Sequence, residues 1–437
     1  MKCNRLFSAV LAVSCVASLA ACGTGNGSAN SNKTADGKTI IRIQTYNGVG
    51  YGKPSQGKVG VDFWSKYEKL HPNIKIEETN AGQSGDARSA FNTSITSGTS
   101  TYDIFVAETD WMPSVKAIAD KFVDLTPYTK DNDWLDWKAE EGTDSGGRLI
   151  AAGTDIGPAG ICYRHDLLEQ AGFPADRDSV AEWLGGENAT WDSYFEAGRE
   201  YTEKTGKPWF DSMVGLEMAM VTQIEESFVK KDGTIIADTN KDVKSMYDML
   251  LDNTDLSAHL DEWTDDWNAA FKSDDGFATI MCPAWLVNNI KGNVGEDFKG
   301  WDLADVFPGG GDNRGGSFLI VPESSPVKEE AAKLVAWLTA PEQQITSFTV
   351  TSNYPSSKAA QASEEVQSKT DPVLNDAPTG KIYSNRAKAV TVVPYRGDQY
   401  FDLNTKFQDA LKRVDVTKEQ SASESWQQFL SDVKSMG

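Results

Sequence analysis

The sequence is poor in the residues that most enzymes and metal proteins use for chemistry. Its 437 residues include three histidines, which stand far apart, and five cysteines, three of them within the first 22 residues. No HExxH or GxSxG pattern occurs, and GGGDNRGG matches neither common nucleotide-binding glycine motif. The stretch DTNKDV lacks the glycine and the final glutamate of a calcium-binding loop. We therefore expect no metal, no cofactor and no catalytic residue.

Positive charge is scarce as well. The chain has 42 lysines and arginines against 64 aspartates and glutamates, which gives a net charge of −22 at pH 7. A surface of this sign repels nucleic acid and anionic lipid, so we exclude nucleic acid as a partner. Beyond the N-terminus no run of residues is apolar enough to span a bilayer, which takes roughly 20 apolar residues.

The N-terminus is the one strongly apolar segment. Two basic residues precede an almost wholly apolar stretch, Leu6 to Leu19, which is the layout of an export signal. The sequence LAAC that ends at Cys22 resembles the lipobox of bacterial lipoproteins. That resemblance implies that residues 1–21 are a signal peptide and that Cys22 carries a lipid anchor on the extracytoplasmic face of the cell membrane. The alternative is an ordinary signal peptide followed by a chance cysteine.

Residues 22–37 have the composition of a flexible linker. They are mostly glycine, asparagine, serine, threonine and alanine, with almost no apolar bulk. We expect a tether between the anchor and the folded part. Removal of the signal would leave 40 basic residues against 64 acidic ones, a net charge of about −24.

Two cysteines, Cys162 and Cys282, stand in the folded part. Each lies in an apolar run, AGICYR and ATIMCPAW. An exported protein can pair two such residues, but two cysteines do not make a disulfide framework. We expect buried free thiols, with a disulfide as the alternative.

Strand-like and helix-like segments alternate along the first third of the chain. TIIRIQTY at 39–46 predicts a buried strand, VDFWSKYEKLH at 61–71 carries apolar residues at helical spacing, and YDIFVAE at 102–108 predicts a further strand. Farther on, Thr190 and Gly206 bound a predicted helix, and Pro341 divides a predicted helix pair. The alternation favours a layered α/β fold.

Several phrases, taken in order, resemble a known family. They are FWSKYEKLHPNIKIEE, YDIFV, DLTPY, GICYRHDLLEQAGF, GFATIMCPAW and GGSFLIVPESSPVKEEAAKLVAWLTAPEQQ. Their order over nearly the whole exported chain is similar to that in the extracellular solute-binding proteins of ABC importers, in the carbohydrate group that includes maltose-binding protein.

The resemblance implies a periplasmic-binding-protein-like α/β fold of two discontinuous lobes joined by a hinge. Lobe one would comprise residues 38–157 and 320–358, and lobe two residues 160–316 and 375–437. The glycines near 157–160 and 309–316 fall where hinge and cleft backbone should lie, although plain loops also favour glycine.

Loops that follow the carboxyl ends of strands line the ligand site in such folds. By that rule and by the resemblance, we predict these cleft residues: Tyr46, Asn47, Glu108, Asp110, Trp111, Asp155, His259, Trp263, Trp285, Gly316, Tyr395 and Arg396. The resemblance places Trp285 at or near a tryptophan that stacks on sugar. Core packing or a surface ion pair is the alternative for each, and we expect Trp64 and Trp337 in the core.

Aromatic residues are plentiful, with 13 Trp, 13 Tyr and 18 Phe. Flat rings can stack on the apolar faces of sugars. We predict a monomeric substrate-binding lipoprotein of an ABC importer that captures an oligosaccharide of two to four rings and delivers it to the membrane permease. The resemblance suggests xylo- or arabinoxylo-oligosaccharides. Two alternatives stay open: a membrane-anchored glycoside hydrolase, which needs two carboxylates facing one cleft, and a binder of a non-sugar solute with the same fold.

Overall fold

The computed structural model describes residues 32–54, 59–98 and 101–436, so the predicted signal peptide and Cys22 lie outside the described residues. The strands are β1 (Thr39–Tyr46), β2 (Ile74–Ala81), β3 (Ile104–Glu108), β4 (Ala152–Gly153), β5 (Asp155–Ile156), β6 (Ala159–Arg164), β7 (Thr279–Pro283), β8 (Trp301–Ala304), β9 (Ser317–Ile320) and β10 (Tyr354–Pro355). The helices are α1 (Phe63–Leu70), α2 (Ser84–Ser97), α3 (Met112–Ala117), α4 (Asp136–Glu141), α5 (His165–Ala171), α6 (Arg177–Trp183), α7 (Trp191–Thr205), α8 (Met213–Met220), α9 (Lys241–Leu251), α10 (Asp265–Ala270), α11 (Leu286–Val294), α12 (Lys328–Leu338), α13 (Pro341–Thr351), α14 (Lys358–Ala362), α15 (Glu364–Gln367), α16 (Thr379–Ala389), α17 (Tyr400–Asp415) and α18 (Ala422–Lys434).

The first lobe is built on a five-stranded sheet in the order β2-β1-β3-β9-β4. β1 pairs in parallel with β2 and β3, while β9 runs antiparallel to β3 and β4. β1 is covered on both faces, since Ile41 and Ile43 are fully buried on one face and Ile40 is buried on the other. The predicted strand at 39–46 is confirmed, and the predicted helix at 61–71 begins at Phe63 because the Asp62 side chain caps it.

The second lobe surrounds an antiparallel sheet in the order β7-β6-β8. Its core is strongly aromatic, with Tyr194, Trp209 and Phe407 all fully buried. The predicted limits of α7 are confirmed. Thr190 and Ser193 form a capping box at its start, and Gly206 closes it with φ of +69°.

A disulfide joins β6 to β7, which corrects the expectation of free thiols. Cys162 and Cys282 are fully buried, as expected, but they are bonded to each other with Cα atoms 5.3 Å apart. The two strands are antiparallel neighbours, and their register places Cys162 opposite Ile280 and Cys282 opposite Gly160. The sequence did not show that these two apolar runs are adjacent strands.

The chain passes between the lobes at residues 155–160 (the first crossing) and 313–317 (the return crossing), which form a β-bridge between Pro158 and Asn313. β5 of the first crossing also pairs with β10. Gly157 must be glycine, because a Cβ atom there would lie 1.8 Å from the carbonyl oxygen of Arg314. Phe348 and Tyr354 pack into one apolar cluster with Cys282 of β7. This packing attaches part of residues 320–358, which we assign to lobe one, to the second lobe. We propose the lobe limits at 157, 316 and 358 on the family resemblance.

The folded part begins before residue 38. Asn32 accepts a hydrogen bond from the backbone N–H of Ile40 at 2.9 Å, and its side chain donates to Asp103 at 3.4 Å. Lys33 forms a β-bridge with Thr39. Residues 32–37, expected in the tether, are thus held against β1. Within the described ranges, no helix combines the length and the apolar content needed to cross a membrane.

Candidate functional site

The lobes face each other across a cleft with a volume of about 280 Å³. The loops after β1 and β3 line it from lobe one, the 263–289 region and α17 line it from lobe two, and the crossing segments lie between. Nine of the twelve predicted residues line it: Tyr46, Asn47, Glu108, Asp110, Asp155, Trp263, Trp285, Gly316 and Arg396. The structure thus brings these nine side chains together, and their contact with a ligand is a proposal.

Two stacked indole rings form one wall. Trp285 follows β7 directly, and its indole N–H donates to the carbonyl oxygen of Arg314 at 2.9 Å. The ring of Trp263 lies 5.9 Å from that of Trp285 with the planes 24° apart. Behind them lies the fully buried Trp267, whose indole N–H donates to Asp211 at 2.9 Å. This hydrogen bond holds the Trp267 ring in place, and Trp263 packs against it. Trp263 and Trp285 themselves stay partly exposed and present an apolar surface to the cleft.

Tyr46 and Asn47 bring the end of β1 to the cleft. The Tyr46 hydroxyl lies 2.9 Å from Ser317 Oγ, which binds the end of β1 to the return crossing. Burial and the nearby Glu108 carboxyl raise the pKa of Tyr46 well above its usual range, so the phenol stays neutral. Asn47 adopts φ of +42°, a conformation that asparagine tolerates better than most residues.

Asp155 lies at the first crossing, and its carboxylate has hydrogen-bond partners within the protein. It accepts hydrogen bonds from the Thr154 hydroxyl at 2.6 Å and from the backbone N–H of Ser317 at 3.0 Å. Burial raises its pKa, and the Lys138 ammonium opposes that shift. Lys138 is itself 1% exposed and lies 3.6 Å above the ring of Phe318, so burial lowers its pKa to about 8.

Both arginines of the cleft are engaged by carboxylates. Arg396 Nε lies 2.8 Å from Asp110 Oδ1, and its Nη1 lies 3.6 Å from Glu141. Arg314 Nη2 donates to both oxygens of Glu262, at 2.8 and 3.1 Å. Burial alone would lower the pKa of each arginine, but the surrounding carboxylates raise it, so both guanidinium groups stay charged.

Glu108 ends β3 and lines the cleft with a carboxyl group that accepts a hydrogen bond from the Ser84 hydroxyl at 3.0 Å. Burial is the main cause of its raised pKa, about 7, and the neighbouring Asp110 adds to the shift. Its remaining lone pairs are available to a ligand, since an ionised carboxylate has roughly four acceptor sites.

One face of α17 also lines the cleft and was missed from sequence. Its side chains there are Tyr400, Phe401, Asn404, Thr405 and Gln408. They recur at helical spacing and so share one face of the helix. The polar residues on that face were the sequence signal that could have predicted its contact with the cleft. Gln408 donates from Nε2 to the fully buried Glu217 at 3.0 Å, while burial raises the pKa of Glu217 to about 8.

Three predicted cleft residues lie elsewhere. Trp111 is 1% exposed and stacks on Phe91 in the core of lobe one, because the short turn after β3 directs it inward. His259 Nδ1 lies 2.6 Å from Asp415 Oδ1, outside the cleft lining. Tyr395 also lies outside, since its backbone N–H donates to the carbonyl of Glu225 at 2.6 Å and holds it against lobe two. These three assignments are therefore corrected.

The core tryptophans behave as expected. Trp64 is 8% exposed and donates to Glu78 at 2.7 Å, and Trp337 packs against Phe63 and Tyr67. No group of three or more His, Cys, Asp or Glu in the described part of the chain is arranged to hold a metal ion.

Comparison with known proteins supplies the family. The profile of the bacterial extracellular solute-binding proteins matches residues 63–373. An arabinooligosaccharide-binding protein of Bacillus subtilis strain 168 is 24% identical over 353 residues, which cover 72% of each chain. These matches agree with the resemblance found in the ordered sequence phrases.

Solved structures match the fold over nearly the whole described chain. A crystal structure titled extracellular solute-binding protein family 1 is 42% identical, with a TM-score of 0.79 over 91% of this chain and 99% of its own. The ABC transporter associated binding protein from B. animalis subsp. lactis Bl-04, solved with β-1,6-galactobiose, is 20% identical with a TM-score of 0.73 over 91% and 98%. At that identity the second likeness concerns the fold alone.

The predicted two-lobed α/β fold is thus confirmed, and the function is binding rather than catalysis. The sequence profile matches residues 63–373, and the solved structure that is 42% identical shares the fold described above. The chain belongs to the family of bacterial extracellular solute-binding proteins.

Proposed function

We propose that the protein captures a short oligosaccharide in the interlobe cleft and delivers it to the permease of an ABC importer. The observation that carries this proposal is the stacked pair Trp263 and Trp285 in a cleft that both lobes supply with hydrogen-bonding side chains. A sugar ring needs both surfaces, because its C–H faces are apolar and its rim carries hydroxyl groups.

The polar lining suits hydroxyl groups in particular. Seven amide side chains line the cleft: Asn47, Gln83, Asn289, Gln344, Asn353, Asn404 and Gln408. Each amide can both donate and accept, as a hydroxyl does, so a ring of amides can satisfy a sugar without adding charge. The amides come from both lobes, so a bound sugar would hold the lobes together.

The relatives support a pentose or galactose oligosaccharide as the ligand. The Bacillus subtilis relative is named as an arabinooligosaccharide-binding protein, and the B. animalis structure contains β-1,6-galactobiose. We place arabino- and xylo-oligosaccharides first among ligands to test. A Kd near 1 µM, about −8 kcal/mol, would allow both capture and release.

The test is calorimetric titration of the chain from residue 22, with Cys22→Ser to prevent lipidation. The panel is α-1,5-arabinotriose, xylotriose, arabinoxylotriose, β-1,6-galactobiose, lactose and maltose, and each mixture is also assayed for hydrolysis products. Saturable binding of one class without products is the expected result. The matched variant Trp285→Ala should lose at least tenfold in affinity for that class.

The other outcomes separate the alternatives. Release of sugar products would contradict the binding assignment in favour of a hydrolase. Failure of the whole panel, with a protein whose thermal unfolding is cooperative, would move the ligand to a non-sugar solute.

We further propose that Cys22 is lipidated and that the exported protein acts as a monomer. The lipobox-like sequence LAAC supports the anchor. Cys22→Ala should shift the protein from the membrane fraction to the medium and remove the mass of the lipid from the N-terminal peptide. Light scattering of the released form should give a mass near that of one chain.

A further inference from the structure

The charged side chains of the cleft are almost all neutralised by a partner. The cleft lining contains five of them: Glu108, Asp110, Asp155, Arg314 and Arg396. Asp110 pairs with Arg396, and Arg314 pairs with Glu262, each at 2.8 Å. Neither guanidinium therefore offers a free positive charge to a ligand.

Asp155 is also compensated. Two hydrogen bonds, from Thr154 and from the backbone N–H of Ser317, occupy one of its oxygens, and the nearby Lys138 ammonium supplies an opposing charge. Lys138 is not part of the cleft lining, so its charge acts on Asp155 from behind the cleft.

Glu108 is the exception. Its one direct partner among the described residues is the Ser84 hydroxyl, and no lysine, arginine or histidine nitrogen of those residues lies within 4.0 Å of it. The charged and titratable groups that face it are Asp110 on the following turn, Asp155 at the crossing, Tyr46 on β1, Arg88 on α2 and Arg314 on the return crossing. Both arginines act on it only from a distance.

The surroundings of Arg314 contain a surplus of carboxyl groups. Its guanidinium faces Glu262, Asp211 and Asp312, so three carboxyl groups share one positive charge. Burial raises the pKa of Asp211 and of Asp312, which removes part of this negative charge near and below neutral pH. At higher pH the deficit of positive charge around the cleft grows.

We propose that Glu108 makes the cleft select its ligand by charge, accepting neutral sugars and sugars with an amino group and rejecting sugars that carry a carboxylate. This inference rests on the proposed function, since it names the class of sugar that the same cleft takes. The carboxylate of Glu108 accepts hydroxyl or ammonium donors, and it repels an acidic substituent that no free arginine or lysine of the lining could neutralise.

The selection depends on pH with a definite sign. Because burial places the pKa of Glu108 near 7, its carboxylate is largely formed at pH 8 and largely protonated at pH 6. Discrimination against an acidic sugar should therefore strengthen as the pH rises. Charges a few ångströms apart in a partly desolvated cleft should change the affinity by about tenfold or more at low salt.

The experiment uses three matched probes made from α-1,5-arabinotriose, or from the panel sugar that binds best. The reducing end is converted to the alditol, the aldonate or the 1-amino-1-deoxyalditol, which differ at one carbon as neutral, negative and positive forms. At pH 8 the expected order of affinity is amine, then alditol, then aldonate. The ratio of the two extremes should be at least tenfold and should shrink at pH 6.

Two variants test the residue. Glu108→Gln keeps the shape and the Ser84 contact while removing the charge, so its affinity ratio between amine and aldonate should fall toward one at pH 8. Glu225→Gln removes the same charge from an exposed ion pair with Lys231 and should keep the wild-type ratio. Thermal unfolding of Glu108→Gln establishes that it is folded, and the pH series of the wild type tests the proposal without any variant.

The outcomes distinguish the two proposals. If sugars bind but the aldonate binds as tightly as the amine at pH 8, or if Glu108→Gln keeps the wild-type ratio, the charge selection is overturned and the sugar-binding function stands. If no sugar of the panel binds, the proposed function fails and this inference fails with it.

Discussion

Arg396 Nε lies 2.8 Å from Asp110 Oδ1, and this ion pair joins the two lobes across the cleft. Asp110 follows β3 in lobe one, whereas Arg396 precedes α17 in lobe two. A second contact between the lobes lies nearby, where the Arg88 guanidinium stands 3.6 Å above the ring of Phe401. Both contacts favour the arrangement in which the lobes approach each other.

Arg396→Gln should therefore open the cleft. It removes the attraction between Arg396 of lobe two and the carboxylates of Asp110 and Glu141 in lobe one. We expect a larger radius of gyration in X-ray scattering and a lower melting temperature. Affinity for the ligand should also fall, because closure then lacks this attraction between the lobes.

A double-mutant cycle isolates the pair. The double variant Arg396→Gln with Asp110→Asn removes both charges and should recover part of the stability lost in Arg396→Gln. We expect a coupling of about 0.5–3 kcal/mol, the range for side chains in direct contact. Additive effects would mean that the pair contributes nothing to closure.

The Cys162–Cys282 disulfide should contribute strongly to the stability of lobe two. It closes a loop with a sequence separation of 120 residues, and loops of that size are expected to gain about 4–5 kcal/mol from the crosslink. The double variant Cys162→Ala with Cys282→Ala should unfold at clearly lower denaturant concentration. Ligand affinity should change little at low temperature, since Trp285 stays anchored to Arg314.

Reduction provides the control. Unfolding of the wild type in the presence of a reductant should approach that of the double variant, while the reductant should leave the double variant itself unchanged. Equal denaturation midpoints for the oxidised wild type and the double variant would show that the crosslink has no stabilising effect.

Local patterns were enough to locate β1, the limits of α7 and part of the cleft lining. The apolar run at 39–46, the cap at Thr190 and the glycine at 206 all act within a few residues, so the sequence contains what decides them. Strand ends placed Tyr46, Asn47, Glu108 and Asp110 at the cleft for the same reason, whereas Trp285 came from the family resemblance.

The errors concern contacts between distant segments. Trp111 and Asp110 are neighbours in the chain, yet one faces the core and the other the cleft, and only the turn after β3 decides which. His259 was predicted in the cleft from the segment that also holds Trp263, but its position is set by Asp415, which lies 156 residues away in the chain. The disulfide was the alternative and not the expectation, because strand adjacency, not cysteine context, brings the two sulfurs together.

The stacked tryptophans should carry much of the ligand affinity. Trp285→Ala removes an apolar platform and the support of Trp263, and we expect a loss of about 1.4–3 kcal/mol, or tenfold to more than a hundredfold in Kd. Trp263→Ala should cost less, since Trp285 is also held by its bond to Arg314. Calorimetric titration with the best sugar of the panel measures both.

A tryptophan away from the cleft supplies the control. Trp426 packs on Tyr247 and Phe429 in lobe two and does not line the cleft. Trp426→Phe should lower the melting temperature without changing Kd. An equal loss of affinity in Trp426→Phe and Trp285→Ala would contradict direct stacking on the ligand.

Glu217 should make the protein less stable as the pH rises. Its side chain is fully buried, its Oε1 has no hydrogen-bond partner among the described residues, and burial raises its pKa to about 8. Below its ordinary pKa, near 4.5, the folded and unfolded states both hold the proton. Between there and about 8 only the folded state holds it, so the free energy of unfolding falls, by up to about 1.4 kcal/mol per pH unit.

Glu217→Gln removes this titration while keeping the side-chain shape. The variant should melt at a higher temperature than the wild type at pH 8.5 and at a similar temperature at pH 5, so the two curves of melting temperature against pH converge on the acid side. The exposed Glu225→Gln should follow the wild-type curve throughout. Parallel curves for Glu217→Gln and the wild type would show that Glu217 does not release its proton on unfolding, and the buried acid would then be ionised in the folded state.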